Sequence, residues 1–191
     1  MAEKNIRLDG RALRVLAHPL RSRLLSELRR NGAATATTLA DRLATNTGAT
    51  SYHLRKLAEV ELVVETDEGR GKQRFWAAAQ QSHSWTDAEI ADDPDAVAAS
   101  AWLLKHYWAY MGEKVAHWED ARAGWPLEWR DAAGMSDMLL ELSAGQLRAL
   151  TRELDEVINR HQEAARAAPA EDARPVTFLY YAMPTDPEDP S

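Results

Sequence analysis

Thr37-Thr38-Leu39-Ala40-Asp41-Arg42-Leu43-Ala44-Thr45-Asn46-Thr47-Gly48-Ala49-Thr50-Ser51-Tyr52-His53-Leu54-Arg55-Lys56-Leu57 is the stretch on which the fold turns. Leu39, Ala40 and Leu43 recur at helical spacing and predict a short helix. Thr45 to Gly48 is rich in turn-forming residues, and Thr47 suits the N-cap of a second helix. That second helix is amphipathic and runs to about Val60, burying Ala49, Leu54 and Leu57. Two helices across a tight turn allow the second to enter a DNA major groove.

Downstream the period changes. Leu62-Val63-Val64-Glu65-Thr66 and Gln73-Arg74-Phe75-Trp76-Ala77 are β-rich, with a glycine-containing loop between them, so a β-hairpin is expected. Upstream, Leu13, Leu16 and Ala17 mark one helix ending at His18. Pro19 opens another, where its missing N–H costs nothing, and Leu20, Leu24, Leu25 and Leu28 line it until Gly32. A short extended piece is expected at Ala34 to Ala36. Helices followed by a hairpin make a winged helix-turn-helix. The fold class expected is mostly α with small β: a winged helix-turn-helix domain plus a C-terminal helical dimerisation or effector region.

Charge divides the chain the same way. Residues 1–79 hold 14 Lys/Arg against 9 Asp/Glu, and residues 80–191 hold 9 against 21. The net charge of −7 therefore conceals a basic end suited to a polyanion and an acidic remainder. The absence of cysteine excludes disulfides, thiolate metal sites and cysteine nucleophiles. No export signal or spanning segment stands out. A cytoplasmic location, no membrane partner and no cofactor are expected.

The boundaries follow from these shifts. Residues 1–79 are expected to be the DNA-binding domain, 80–94 a linker, 95–183 a helical dimerisation and ligand-binding region, and 184–191 a disordered, proline-rich tail. A long helix from about Asp95 to Ala123 carries Val97, Ala101, Leu104, Trp108, Met111, Val115 and Trp118 in alternating steps of four and three. That is a heptad seam, suited to pairing with a second copy in a homodimer. Ser143-Ala144-Gly145-Gln146 is a capping-box signature, opening a helix with Leu147, Leu150, Leu154, Val157 and Ile158 on one face. Met138 to Leu142 and Val176 to Ala182 are expected to be strands that pair.

Double-stranded DNA is the expected partner. Its candidate contacts are Thr47, Thr50, Ser51, Tyr52, Arg55 and Lys56 on the second helix, with Arg70, Lys72 and Arg74 in the hairpin. Arg55 can reach guanine edges bidentately, hydroxyls suit phosphates or bases, and a basic hairpin suits the backbone or the minor groove. Sequence-independent solvation of these polar residues, or a winged helix used for protein contact, is the alternative. No Gly-rich phosphate loop, G-x-S-x-G or H-E-x-x-H is present, so no enzyme reading is favoured.

Leu16-Ala17-His18-Pro19-Leu20-Arg21-Ser22-Arg23-Leu24-Leu25 resembles the opening helix pair of ArsR-type regulators. Ala40-Asp41-Arg42-Leu43 with Thr50-Ser51-Tyr52-His53-Leu54-Arg55-Lys56-Leu57 resembles their helix-turn-helix, and Leu62-Val63 with Gly69-Arg70-Gly71-Lys72 their strand and wing. The likeness covers residues 10–78. Thr47 to Leu54, Trp129-Arg130-Asp131-Ala132 and Pro175 to Pro184 are similar to an actinobacterial branch with a helical C-terminal region. The resemblance implies a homodimeric, effector-responsive repressor acting on a palindromic operator. The chain departs from the family where Val60-Glu61 replaces the glycine that usually ends the reading helix.

Two effector readings stay open. Zinc-sensing members space their ligands as His106, His117 and Asp120 are spaced here, but Leu104 stands where the first acidic ligand would fall. A solvated helix face explains the same residues. All seven tryptophans lie between Trp76 and Trp129. Trp102, Trp125 and Trp129 are candidates to line a pocket for a flat apolar small molecule, against core packing as the alternative.

Overall fold

A computed structural model describes residues 5–66 and 74–185 of the chain. Two compact units emerge, residues 1–132 and residues 133–191.

The first unit opens with β1 (Asn5–Arg7), α1 (Gly10–Leu16) and α2 (Pro19–Asn31). Asp9 caps α1 by accepting from the Ala12 amide at 2.7 Å. His18 caps α2, its Nδ1 accepting from the Leu20 amide at 3.2 Å, and Pro19 takes the first helical position. After β2 (Ala34–Thr35) come α3 (Ala36–Arg42), α4 (Thr47–Ala58), β3 (Val63–Thr66) and β4 (Phe75–Ala78). The sheet order is β2-β4-β3, all antiparallel. This is a winged helix: α3 and α4 form the helix-turn-helix and β3–β4 the wing. The wing loop lies outside the described residues.

Leucine builds the core. Leu13, Leu16, Leu24, Leu39, Leu54, Leu57 and Leu62 are fully buried, and Trp76 of β4 closes over them at 5% exposure. Each such side chain contributes about 1.5–3 kcal/mol by leaving water. The helix-turn-helix is thus held in shape by α1, α2 and the wing.

The expected linker over 80–94 is ordered structure instead. Ser82–Ser84 forms β5, parallel to β1, with Ile6 opposite His83. A short α5 (Asp87–Ile90) follows, capped by Thr86 with Glu89 in a capping box. Ile90 is buried in the same core. The polar composition that suggested a linker belongs to the outer face of these pieces, while His83, Trp85 and Ile90 anchor them.

The long helix α6 runs from Pro94 to Ala121, about 42 Å. Asp93 caps it and pairs with Arg14 of α1. Ala96, Ala99, Ser100 and Leu103 are its buried side. The approach to α1 is close: a Cβ on Gly10 would lie 2.8 Å from Asp93 Oδ2 and 3.0 Å from Ala96 Cβ. The domain boundary expected at residue 79 is therefore absent, because α6 packs on α1 and shares its core. The unit ends with a 3-10 turn (Arg122–Gly124) and α7 (Leu127–Ala132).

Among its described residues the second unit consists of α8 (Ala144–Ala167) with an irregular segment on either side. The Ser143–Gln146 capping box forms as expected. Met138 to Leu142 and Val176 to Ala182 do not pair; neither forms a strand. Their large side chains are exposed, Leu139 at 83% and Phe178 at 65%, so burial does not favour pairing here. Tyr180 donates to Asp155 Oδ1 at 2.6 Å, tying the last segment to α8. Of the expected tail 184–191, residues 186–191 lie outside the described residues.

Candidate nucleic-acid interface

The helix α4 begins one residue earlier in its cap than its composition implied. Asn46, and not Thr47, is the N-cap, its Oδ1 accepting from the Ala49 amide at 2.8 Å. Asn is at least as good a cap as Thr, and the shift leaves Thr47 on the first turn, exposed.

The same register settles which residues face outward. Thr50, Leu54 and Leu57 share the buried face. Thr50 is fully buried and its hydroxyl donates to the Asn46 carbonyl at 3.0 Å, so it is no DNA contact. A spacing of four and then three to Leu54 and Leu57 is the signal that sequence reading passed over. Thr47, Ser51 and Arg55, at successive steps of four, point to the other side. Tyr52 is half exposed and Lys56 lies beside it, its ammonium 6.0 Å from the Tyr52 ring centre.

A concave groove brings Thr47, Ser51 and Arg55 together with Arg74 of the wing, and with Thr35 and Thr37 at the start of α3. Thr35 and Thr37 were not singled out from sequence, since their neighbourhood to α4 is made only by the turn between α3 and α4. Arg70 and Lys72 lie outside the described residues. Arg55 holds its Nε against the Ser51 carbonyl at 3.1 Å, which leaves the two terminal nitrogens for a ligand. Lys56 pairs with Glu59, and Arg74 Nη1 with Glu65 at 2.9 Å.

Away from the groove, His53 of α4 packs against the His18 ring, with centroids 4.4 Å apart and the planes tilted by 38°. Burial, together with Arg21, holds both imidazoles below the ordinary histidine range. His18 accepts at Nδ1, so a proton there would remove the α2 cap. A neutral ring pair thus seats the reading helix on α2.

The other candidates scatter. Trp102 stacks on His106 at 5.0 Å, whereas Trp125 packs on Trp118 at 5.7 Å and on Trp129 at 6.0 Å. The expected set of Trp102, Trp125 and Trp129 is therefore not assembled; Trp118 takes the place of Trp102. His106, His117 and Asp120 do not converge within the chain, and among the described residues no three His, Cys, Asp or Glu side chains form a metal-binding group. His106 is turned onto Trp102, while His117 and Asp120 face solvent. In the heptad seam, Val97, Leu104, Trp108 and Val115 are 39–54% exposed, and Met111 and Trp118 are half-buried.

A second helix framed by three others, with a wing that brings Arg74 to its outward face, defines a helix-turn-helix domain of the DNA-binding kind. The helix-turn-helix domain family matches residues 16–66. Among solved structures, a possible transcriptional regulator for arsenical resistance is 30% identical, over 53% of this chain and 85% of its own, with a TM-score of 0.33. The YusO protein from Bacillus subtilis is 14% identical over 60% and 83%, TM-score 0.33. RV1404 from Mycobacterium tuberculosis is 15% identical over 76% and 81%, TM-score 0.32. No curated protein matches the chain. The matched segment and its order of elements give this chain a winged helix-turn-helix domain of the ArsR type, the kind that DNA-binding transcriptional regulators carry.

Proposed function

We propose that the protein is a sequence-specific, effector-responsive repressor that binds a palindromic operator as a homodimer in the cytoplasm. The observation that carries this reading is the outward face of α4, where Thr47, Ser51 and Arg55 share one groove with Arg74. Hydroxyls and guanidinium groups on a helix of this width suit base edges and phosphates in a major groove. One such helix contacts only a few base pairs, and two half-sites give useful specificity. The exposed seam of α6 supports pairing with a second copy, since four large apolar side chains on one helix face favour leaving water. The tryptophans at the end of α6 support a flat apolar effector bound near that helix, where it would alter the spacing of the two reading helices. Among the described residues no helix is long and apolar enough to cross a membrane.

Fluorescence anisotropy with genomic duplex fragments tests the reading. Binding should weaken steeply between 50 and 200 mM salt, on the order of 10³-fold for six phosphate contacts. Arg55→Ala should cost about 1–3 kcal/mol and relax base preference at one position. A wild-type protein that forms a stable protein complex and shows no salt-sensitive DNA binding would be a protein-contact module instead.

A further inference from the structure

The cations at the DNA face are not equivalent. Lys56 Nζ lies 3.0 Å from both carboxylate oxygens of Glu59, three residues further along the reading helix. Arg74 Nη1 lies 2.9 Å from Glu65 Oε1 across the wing. Arg55, which lines the groove with Arg74, meets no carboxylate among the described residues; its Nε is engaged by the Ser51 carbonyl. The groove thus holds one open guanidinium, Arg55, and one that already has a counter-ion, Arg74, while Lys56, also paired, lies outside the groove beside Tyr52.

We infer that Glu59 and Glu65 are internal competitors of DNA phosphate: they occupy Lys56 and Arg74 in the free protein and so hold down its affinity for any duplex. The inference rests on the DNA-binding reading and assigns a role to two acids that a positive-patch description leaves out. A Lys or Arg gains affinity for DNA by neutralising a phosphate and releasing its condensed counter-ions. Where a carboxylate sits on the cation, that contact first breaks an ion pair and then leaves a negative group beside the phosphate. All the pairing side chains are substantially exposed, Lys56 and Glu59 at 37% and 46%, Arg74 and Glu65 at 70% and 46%, so each pair is weak enough to exchange. Phosphates carry no sequence information, so the acids limit affinity uniformly and leave base preference to Arg55. A regulator with such competitors stays releasable from DNA, which suits one that must let go of its operator.

The test is binding of full-length Glu59→Gln and Glu65→Gln to two duplexes, one enriched by selection on the wild-type protein and one of scrambled sequence. Each variant should bind both duplexes about two- to five-fold more tightly at low salt. Each should also steepen the salt dependence, by at most about 0.9 in the log–log slope. The gain should vanish when the cation is gone: Glu59→Gln should add nothing in a Lys56→Ala background, nor Glu65→Gln in Arg74→Ala. Unchanged affinity in the single variants overturns the inference. So does a gain that persists without the cation, since it would report only the removal of a negative charge near DNA. A wild-type protein with no salt-sensitive duplex binding removes the DNA reading itself, and this inference falls with it.

Discussion

Leu54 of α4 and Leu154 of α8 occupy similar places in their own helices, each on an apolar face read from spacing alone. Leu54 is fully buried, while Leu154 is only half-covered and no residue of α8 is buried. Periodicity specifies that a helix forms and which face is apolar; it does not supply the surface that covers the face. In residues 1–132 that surface comes from leucines of three other helices and the wing. In residues 133–185 it has two irregular segments with exposed apolar side chains.

The contrast can be broken by matched truncation. Leu54→Ala should destabilise by about 2–5 kcal/mol, the cost of a cavity in a close-packed core. Leu154→Ala should cost less than about 1 kcal/mol, because little covered area is lost. Urea unfolding of both variants decides. Equal costs would mean that α8 is covered in solution by a surface outside residues 133–185.

The α6 helix sharpens the same point, since it has one face of each kind. Ala96, Ala99, Ser100 and Leu103 are buried against the other helices of the first unit, while Val97, Leu104, Trp108 and Val115 stay exposed. With Leu104→Glu and Met111→Glu together, a folded monomer is expected. Operator affinity should fall by about 10²-fold or more, as the second half-site is no longer tethered. Sedimentation of the wild type as a monomer at micromolar concentration, with and without DNA, would sink the seam as an interface.

Much of the first unit was legible because its signals are local. Pro19 after a capping residue, the Leu24–Leu28 spacing, and two β-rich runs around a glycine loop each act within a few residues. The cap falls one residue before Thr47, and, independently of it, Thr50 shares the buried face because it stands four and seven residues from Leu54 and Leu57, spacings that return to one side of a helix. What sequence could not show is long-range. β5 pairs with β1 some 77 residues away, and it does so through a polar Ser-His-Ser run whose composition reads as linker. The Lys56–Glu59 pair was in plain view at helical spacing, yet the acid counted only toward net charge. The register of Arg74 against Glu65 needed the wing to be built.

His83 gives that long-range junction a pH signature. Arg29 Nη1 lies 2.7 Å from its Nδ1, and the Tyr107 hydroxyl 2.8 Å from its Nε2. Arg29 can only donate, so Nδ1 accepts, Nε2 carries the proton and the ring is neutral. Burial, with Arg29 second, pulls the imidazole down to about 3, while burial pushes Tyr107 up to about 12. The unfolded chain protonates this histidine near 6.5, so the stability it contributes is present above that pH. It is lost progressively as pH falls from 6.5 toward 3, by at most about 1.4 kcal/mol per pH unit. His83→Gln keeps an acceptor for Arg29 and cannot titrate in this range. Its stability should fall less steeply than the wild type between pH 6.5 and 4.5. Parallel curves would place the acid sensitivity elsewhere.

The smallest effect concerns the backbone at the two ends of the reading helix. Ala44, in the turn before α4, has φ of 50°, and Glu61, just after it, has φ of 57°. Gly32, which ends α2, has φ of 77°. Only the last of the three is the residue that tolerates this conformation without a Cβ penalty. At Glu61 the geometry is fixed by two hydrogen bonds that close the helix, Glu61 N to the Ala58 carbonyl at 3.0 Å and Leu62 N to the Leu57 carbonyl at 3.1 Å. The chain therefore holds a strained glutamate where the family pattern has glycine. Glu61→Gly relieves the strain but enlarges the freedom of the unfolded chain, and the difference should be a gain of about 0.5–1 kcal/mol. Gly32→Ala runs the other way: a Cβ there would meet nothing within 4 Å, so its cost of about 1 kcal/mol is purely conformational. Chemical unfolding of the two variants should move in opposite directions, with DNA affinity unchanged in both because neither position lies in the groove. A loss of stability in Glu61→Gly would show that the Glu61 side chain contributes more to the folded state than its backbone costs.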